Sequence, residues 1–362
     1  MNVNEQIEEL ISSEQYTLSD SDKEKKLLPI FLSQMKSHYD NNEHIKSWFD
    51  KIELKVDEIK CLNDIPVLPT QMFKHFDLCT TKEPLQRVLH SSSTTSQTPS
   101  KIPISVITAR RQSKALLSIM KNFLPNKRMP FLVLDCETSN KQEETITARG
   151  AAIRGFSIFA RKTVYAFDDV NGQMVLNKER VVDFLKENEN KDVLTFGFTY
   201  IIWSEFLPQL SDVIFNNSKM KLLHGGGWKK LKHLSVSKEK FSTDVAKVFN
   251  TDPSNVLDFY GMVEQTGLVF IDCEQGYKHC PNFADVKIRD FYTLNECEAG
   301  KKGFIEIMNI LPDSYPGMSI ITEDVGEVIG VDDCKCGRKG KYFVFRNRVE
   351  KAEVRGCGDT YK

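Results

Sequence analysis

Between residues 131 and 258, short apolar runs recur at a spacing that leaves room for a helix between neighbours, and this alternation constrains the fold more than any other feature. The runs fall at 131–135, 164–167, 193–196, 221–224 and 255–258, and helical patterns occupy 178–189, 200–210 and 238–249. Strands separated by helices at this spacing predict an α/β domain with a mainly parallel sheet. From Asn4 to about Ile59 the apolar residues repeat at helical spacing, which predicts a helical N-terminal cap over 1–62. Two prolines in Asp64-Ile-Pro-Val-Leu-Pro69 end that run, and an α/β core is expected over 63–267. Beyond Gly267 the texture changes to strands at 286–289, 304–308, 320–322, 327–331 and 342–345 between Gly, Pro and Asp turns. This predicts a β-rich subdomain over 268–346, followed by a tail over 347–362.

Composition narrows the class. With 49 basic and 50 acidic residues in 362, the net charge is -1, and nothing in the balance calls for nucleic acid or an anionic membrane surface. No apolar run approaches the roughly 18 residues of a transmembrane segment, and the first ten residues lack the basic and apolar regions of a signal peptide. Nine cysteines, an odd number without a regular framework, fit reduced thiols in a cytoplasmic protein.

Six groups of residues could carry chemistry. The stretch Ser91-Ser-Ser-Thr-Thr-Ser-Gln-Thr-Pro-Ser100 lies between a strand-like segment and an amphipathic helix. Its N–H and hydroxyl groups could face a polyphosphate, with Arg110 and Arg111 nearby; the same composition suits a flexible linker. His224-Gly-Gly-Gly-Trp228 follows an apolar strand, either as a backbone that a flat ligand approaches closely or as a plain turn. In Asp258-Phe-Tyr-Gly-Met-Val-Glu264, Tyr260 could stack on a base and Glu264 could hold Mg²⁺, although a core Tyr and a surface Glu explain the pattern as well. Asp324 ends an apolar strand, where a carboxylate can accept from both hydroxyls of a ribose or can serve as a turn residue. Cys273, His279, Cys334 and Cys336 form a set suited to a closed tetrahedral Zn²⁺ site, the alternative being cysteines packed as small hydrophobes. Cys357, between two glycines and close to Arg355, is a candidate nucleophilic thiol.

In order and approximate spacing, Ser91 to Ser100, Gly225-Gly-Gly-Trp228, Tyr260-Gly-Met-Val-Glu264, Thr322-Glu-Asp324 and Asn347-Arg348 resemble the core motifs of adenylate-forming enzymes. Within that superfamily the chain looks most like the LuxE-type acyl-protein synthetases, relatives of the phenylacetate:CoA ligases, over roughly residues 60–358. The resemblance implies a large adenylate-forming domain, α/β in class, without most of the usual small C-terminal domain. It also implies a two-step reaction: a carboxylic acid, of fatty type, attacks ATP with Mg²⁺ to give an acyl-adenylate, and the acyl group then passes to a thiol. Motif by motif, Ser91, Ser92, Thr94, Thr95 and Ser96 would hold phosphates, and Gly225, Gly226, Gly227 and Tyr260 the adenine. Glu264 would hold the cation, Asp324 the ribose, and Arg348 a hinge-side phosphate. Cys357 would carry the acyl group on its way to an acceptor protein such as an acyl reductase or a carrier. The loop departs from the superfamily at Ser93 and Ser96, where glycine is usual. No residue inherits the catalytic lysine of the small domain; His90, Arg110 and Lys229 are the cationic candidates to replace it. A small-acid or coenzyme A ligase of a biosynthetic cluster, and a non-catalytic nucleotide-binding relative, are the competing readings.

Overall fold

The computed structural model describes residues 2–91, 99–138, 148–210, 215–228 and 233–349. It forms two compact units, one comprising the described residues of Met1–Ser91, Ser96–Phe123 and Gly261–Glu353, the other those of Leu124–Tyr260. The helical N-terminal segment, the hairpin before helix Val106–Met120 and the β-rich segment therefore belong together.

In the first unit the strands are β1 (Leu68–Pro69), β2 (Leu85–His90) and β3 (Lys101–Ser105). In the second unit they are β4 (Met129–Cys136), β5 (Ala160–Val170), β6 (Gln173–Leu176), β7 (Val193–Phe198), β8 (Met220–Gly225) and β9 (Val256–Tyr260). The first unit resumes with β10 (Phe270–Ile271), β11 (Lys278–His279), β12 (Ala284–Arg289), β13 (Lys302–Asn309), β14 (Ser319–Val331) and β15 (Lys341–Arg348).

Within the second unit the sheet runs β9-β8-β7-β4-β5-β6, parallel except for the β5–β6 hairpin. Every residue of β7 is buried, and so is nearly every residue of β4, as expected of strands covered on both faces. The chain leaves β4 toward β5 on one side and reaches β7 on the other. In α/β sheets such a reversal marks the edge where ligands bind, here the carboxyl ends of β4 and β7. The segment 200–210 is helical but not uniformly so: a π turn spans Ile202–Phe206, and the Leu207 N–H donates to the Ile202 carbonyl five residues back. Pro208, which has no N–H for the Ser204 carbonyl, accounts for the slip.

In the first unit the antiparallel sheet runs β11-β15-β14-β13-β12, and β1 adds to the early part of β14 in parallel. The alternation in β12 marks a strand, yet its polar face is covered too: Asp285, Lys287 and Arg289 are all buried. Lys341 pairs with Asp285 at 2.7 Å and Arg289 pairs with Glu306, while Asn63 of the N-terminal segment accepts from Arg289 at 2.6 Å. Buried charges of this kind persist only when paired and hydrogen-bonded. Among the described residues no helix is long and apolar enough to cross a membrane.

Candidate active site

The hydroxyl-rich loop sits on the β2–β3 hairpin. At its neck the Ser91 N–H donates to the Ser100 carbonyl at 3.3 Å, and the Ser100 N–H donates to the Ser91 hydroxyl at 2.9 Å. Ser91 thus helps to close the loop; Ser92, Thr94, Thr95 and Ser96 lie outside the described residues. The arginines expected beside it are engaged elsewhere. Arg110 pairs with Glu8 at 2.9 Å and Arg111 donates to Asn4 at 2.7 Å, because helix Val106–Met120 packs against helix Val3–Ser12. Of the candidates to replace a catalytic lysine, Arg110 is therefore already paired, and Lys229 lies outside the described residues. His90 faces Lys101 across the hairpin; burial and that charge lower its pKa and keep the ring neutral near pH 7.

Glu264, on the short turn Val263–Gln265, is buried, and the Tyr315 hydroxyl donates to its carbonyl at 2.9 Å. Burial raises its carboxyl above the usual value, against the pull of its own N–H, the Ser100 hydroxyl, Arg348 and Lys74. A carboxylate kept among positive groups can share a hard cation with phosphate oxygens. The ladder of β14 and β15 sets Asp324 opposite Arg348, and Arg348 Nε donates to Asp324 Oδ1 at 2.8 Å. The Asp324 side chain is only 5% exposed and that of Arg348 41%, so the arginine can reach solvent and a ligand while the carboxylate stays fixed.

Lys74 was not singled out from the sequence. Its segment is tied to β14 by Thr70 N–H to the Ile321 carbonyl at 3.2 Å and Gln71 Nε2 to Glu323 Oε1 at 2.6 Å. Phe73 meets the ring of Tyr315 edge-on at 5.9 Å, which lays Lys74 within electrostatic reach of Glu264. A lone lysine in a four-residue helix has no motif to betray it.

In the second unit β8 runs into the glycines. A Cβ on Gly225 would meet the Phe259 ring and carbonyl at 2.8 Å, and Gly226 has φ +80°, so the packing of the chain itself accounts for both. At Gly227 a Cβ would meet nothing within 4 Å, leaving room for a flat ligand. His224 is buried, with Nδ1 3.0 Å from the Thr199 hydroxyl, which in turn donates to the Gly225 carbonyl at 3.2 Å. Tyr260 ends β9, one strand over from this turn, and is partly exposed. The aromatic residues of 196–206 are mostly core: Phe196, Phe198 and Phe206 are buried, and Phe196 packs on Phe156 at 5.1 Å and on Phe198 at 5.5 Å. At the carboxyl end of β4, Asp135 and Arg149 form a fully buried ion pair that no sequence pattern announced.

The four thiol and imidazole candidates come together. The ligand atoms of Cys273, His279, Cys334 and Cys336 all lie within 4.8 Å of one another, with His279 Nε2 3.3 Å from Cys336 Sγ. Cys273 to Gly276 and Cys334 to Gly337 are matching turns, each closed by the glycine N–H on the cysteine carbonyl, at 2.8 and 3.0 Å, with the glycine at positive φ. Three thiols and an imidazole at this separation make a donor set for tetrahedral Zn²⁺. Cys357 lies outside the described residues.

Over residues 1–362 the chain matches the LuxE acyl-protein synthetase family. The long-chain-fatty-acid--luciferin-component ligase of Vibrio harveyi is 22% identical over 329 residues, covering 88% of this chain and 83% of that protein. The protein of the same name from Aliivibrio fischeri is 23% identical over 298 residues, covering 80% and 76%. Among solved structures, 2-hydroxyisobutyryl-CoA ligase in the postadenylation state with 2-HIB-AMP aligns at a TM-score of 0.70 and 14% identity. That alignment covers 92% of this chain and 69% of the ligase, and it shows that the fold is that of adenylate-forming ligases. On the family match over its whole length, the chain belongs to the LuxE acyl-protein synthetases, a family of acid-activating ligases.

Proposed function

We propose that the chain activates a long-chain fatty acid with ATP and Mg²⁺, carries the acyl group on Cys357, and passes it to a partner protein such as an acyl reductase or carrier. In the first step a carboxylate oxygen attacks the α-phosphorus of ATP, and the bond to pyrophosphate breaks. Carboxylate and triphosphate repel one another, so the protein must supply positive charge and N–H donors in a fixed arrangement. Glu264 would hold the Mg²⁺ ion, which would offset phosphate charge, while Asp324 would take the ribose hydroxyls, Arg348 and Lys74 the phosphate charge, and Gly225 to Gly227 with Tyr260 the adenine. The hydroxyls of Ser91, Ser92, Thr94, Thr95 and Ser96 would hold the phosphates. In the second step the Cys357 thiolate attacks the acyl carbonyl, AMP leaves, and the thioester delivers the acyl group to the acceptor.

The observation that carries this reading is Glu264, a buried carboxylate with Arg348 and Lys74 in reach, beside the neck of the hydroxyl-rich loop. The cysteines among the described residues are free thiols, in keeping with a cytoplasmic location. Zn²⁺ on Cys273, His279, Cys334 and Cys336 would be structural and take no part in the two steps.

Labelling with a radioactive fatty acid, with and without ATP and Mg²⁺, tests the reading. The wild type is expected to carry ATP-dependent label that hydroxylamine removes, and Cys357→Ser to lose it while still releasing pyrophosphate. Equal labelling of the variant would remove Cys357 from the mechanism. ATP binding without pyrophosphate release for any acid would end the catalytic reading altogether.

A further inference from the structure

The four metal ligands lie on two loops, and the residues next to them grip a third segment that has no regular structure of its own. Cys273 and His279 flank the turn before β11, and Cys334 and Cys336 lie in the loop between β14 and β15. The third segment links helix Val3–Ser12 to helix Asp20–Asn41. Asn282, three residues past His279, accepts from the Thr17 and Leu18 N–H groups at 3.2 and 3.3 Å and donates to the Glu14 carbonyl at 2.8 Å. From the other loop, the Lys339 N–H donates to the Tyr16 carbonyl at 2.8 Å, and Asp332 accepts from the Asp20 N–H at 3.1 Å.

Tyr16 is the meeting point. Its ring stands edge-on to His279 with centroids 6.4 Å apart, and the Arg338 guanidinium lies 5.8 Å from it. Tyr16 is buried and has φ +67°, a left-handed conformation that a bulky L-residue holds only when its surroundings impose it. Arg338 and Lys339, which hold Tyr16 from this side, directly follow the Cys334 to Gly337 turn, and that turn makes no sheet pairing and is closed by one backbone bond.

We propose that Zn²⁺ at Cys273, His279, Cys334 and Cys336 is a clip, which fixes the β14–β15 loop against the β11 turn and thereby holds the segment around Tyr16 in place. The inference rests on the zinc assignment above but not on the acyl chemistry. By joining the two loops the metal makes one jaw of them, and the N-terminal helices are fastened to the sheet that carries Asp324 and Arg348.

The test uses the full chain purified without chelators. Metal analysis should give about one zinc per chain, and Co²⁺ exchanged for it should show thiolate charge transfer with tetrahedral d–d bands. Chymotrypsin, which cuts after Tyr16 or Leu18 once they are accessible, should act there roughly tenfold faster after chelation, with Zn²⁺ but not Mg²⁺ restoring protection. Asn282→Ala should keep the zinc and lose part of the protection. Absence of zinc, or a disulfide among Cys273, Cys334 and Cys336 in freshly purified protein, sinks the site itself. Zinc that can be removed without changing the cleavage rate leaves the site standing and overturns the clip.

Discussion

In the unit built on β4 to β9, the residues at the strand ends are held by rings and backbone: Gly225 lies against Phe259, and Phe196 against Phe156 and Phe198. In the other unit Glu264, Asp324 and Arg348 are held by charge and hydroxyl, over a sheet whose own faces bury Arg289 with Glu306 and Lys341 with Asp285. Close packing has no pH or salt dependence, whereas each paired charge brings both.

Among the described residues of the ring-packed unit Asp135 and Arg149 form a fully buried ion pair, and breaking it should have the largest effect. Arg149→Met leaves the Asp135 carboxylate buried without its guanidinium, at a cost of about 3 to 5 kcal/mol. Asp135→Leu added to Arg149→Met should recover much of the loss, since a hydrophobic pair needs no compensating charge. Urea denaturation of both variants measures this; a single variant within about 1 kcal/mol of wild type would show that the pair is dispensable.

Glu264→Gln should act in the opposite sense on stability and activity. Without the carboxylate, pyrophosphate release is expected to fall about 10²- to 10³-fold. The folded pKa of Glu264 is raised, so the folded state binds more protons than the unfolded one as pH rises through the window above 4.5, and stability falls across it. Glutamine removes that dependence, and the variant should be at least as stable as wild type at neutral pH. A variant both slower and less stable at pH 7 would mean that Glu264 is a structural carboxylate and not a site held at the expense of the fold.

Parallel strands buried on both faces declare themselves in a sequence, which is why 131–135, 193–196 and 221–224 read correctly as β4, β7 and β8. The Cys/His set, singled out as clustered soft ligands, comes together, and the β14–β15 register sets Asp324 opposite Arg348, which the sequence offered only as members of separate motifs. What stayed hidden depends on partners distant in the chain. Arg110 and Arg111 follow a candidate phosphate loop, yet a helix about a hundred residues earlier takes both. Lys74 gains its meaning only from Glu264 and Tyr315, and the charges of β12 from Lys341, Glu306 and Asn63.

The glycine turn gives the smallest effects and the sharpest separation. Gly225→Ala should cost about 1 to 3 kcal/mol, because its Cβ drives into Phe259. Gly226→Ala should cost about 1 to 2 kcal/mol through its positive φ. Gly227→Ala meets open space, and its stability should stay within about 0.5 kcal/mol of wild type. If an adenine lies over this backbone, the third variant should still bind ATP more weakly, by several-fold in calorimetry, because the methyl group stands where the ring must approach. Weaker binding without a change in stability would mark Gly227 as a ligand-facing glycine and leave its two neighbours as packing. Unchanged binding would mean that all three serve the turn, and that the base is recognised elsewhere on the ring-packed unit.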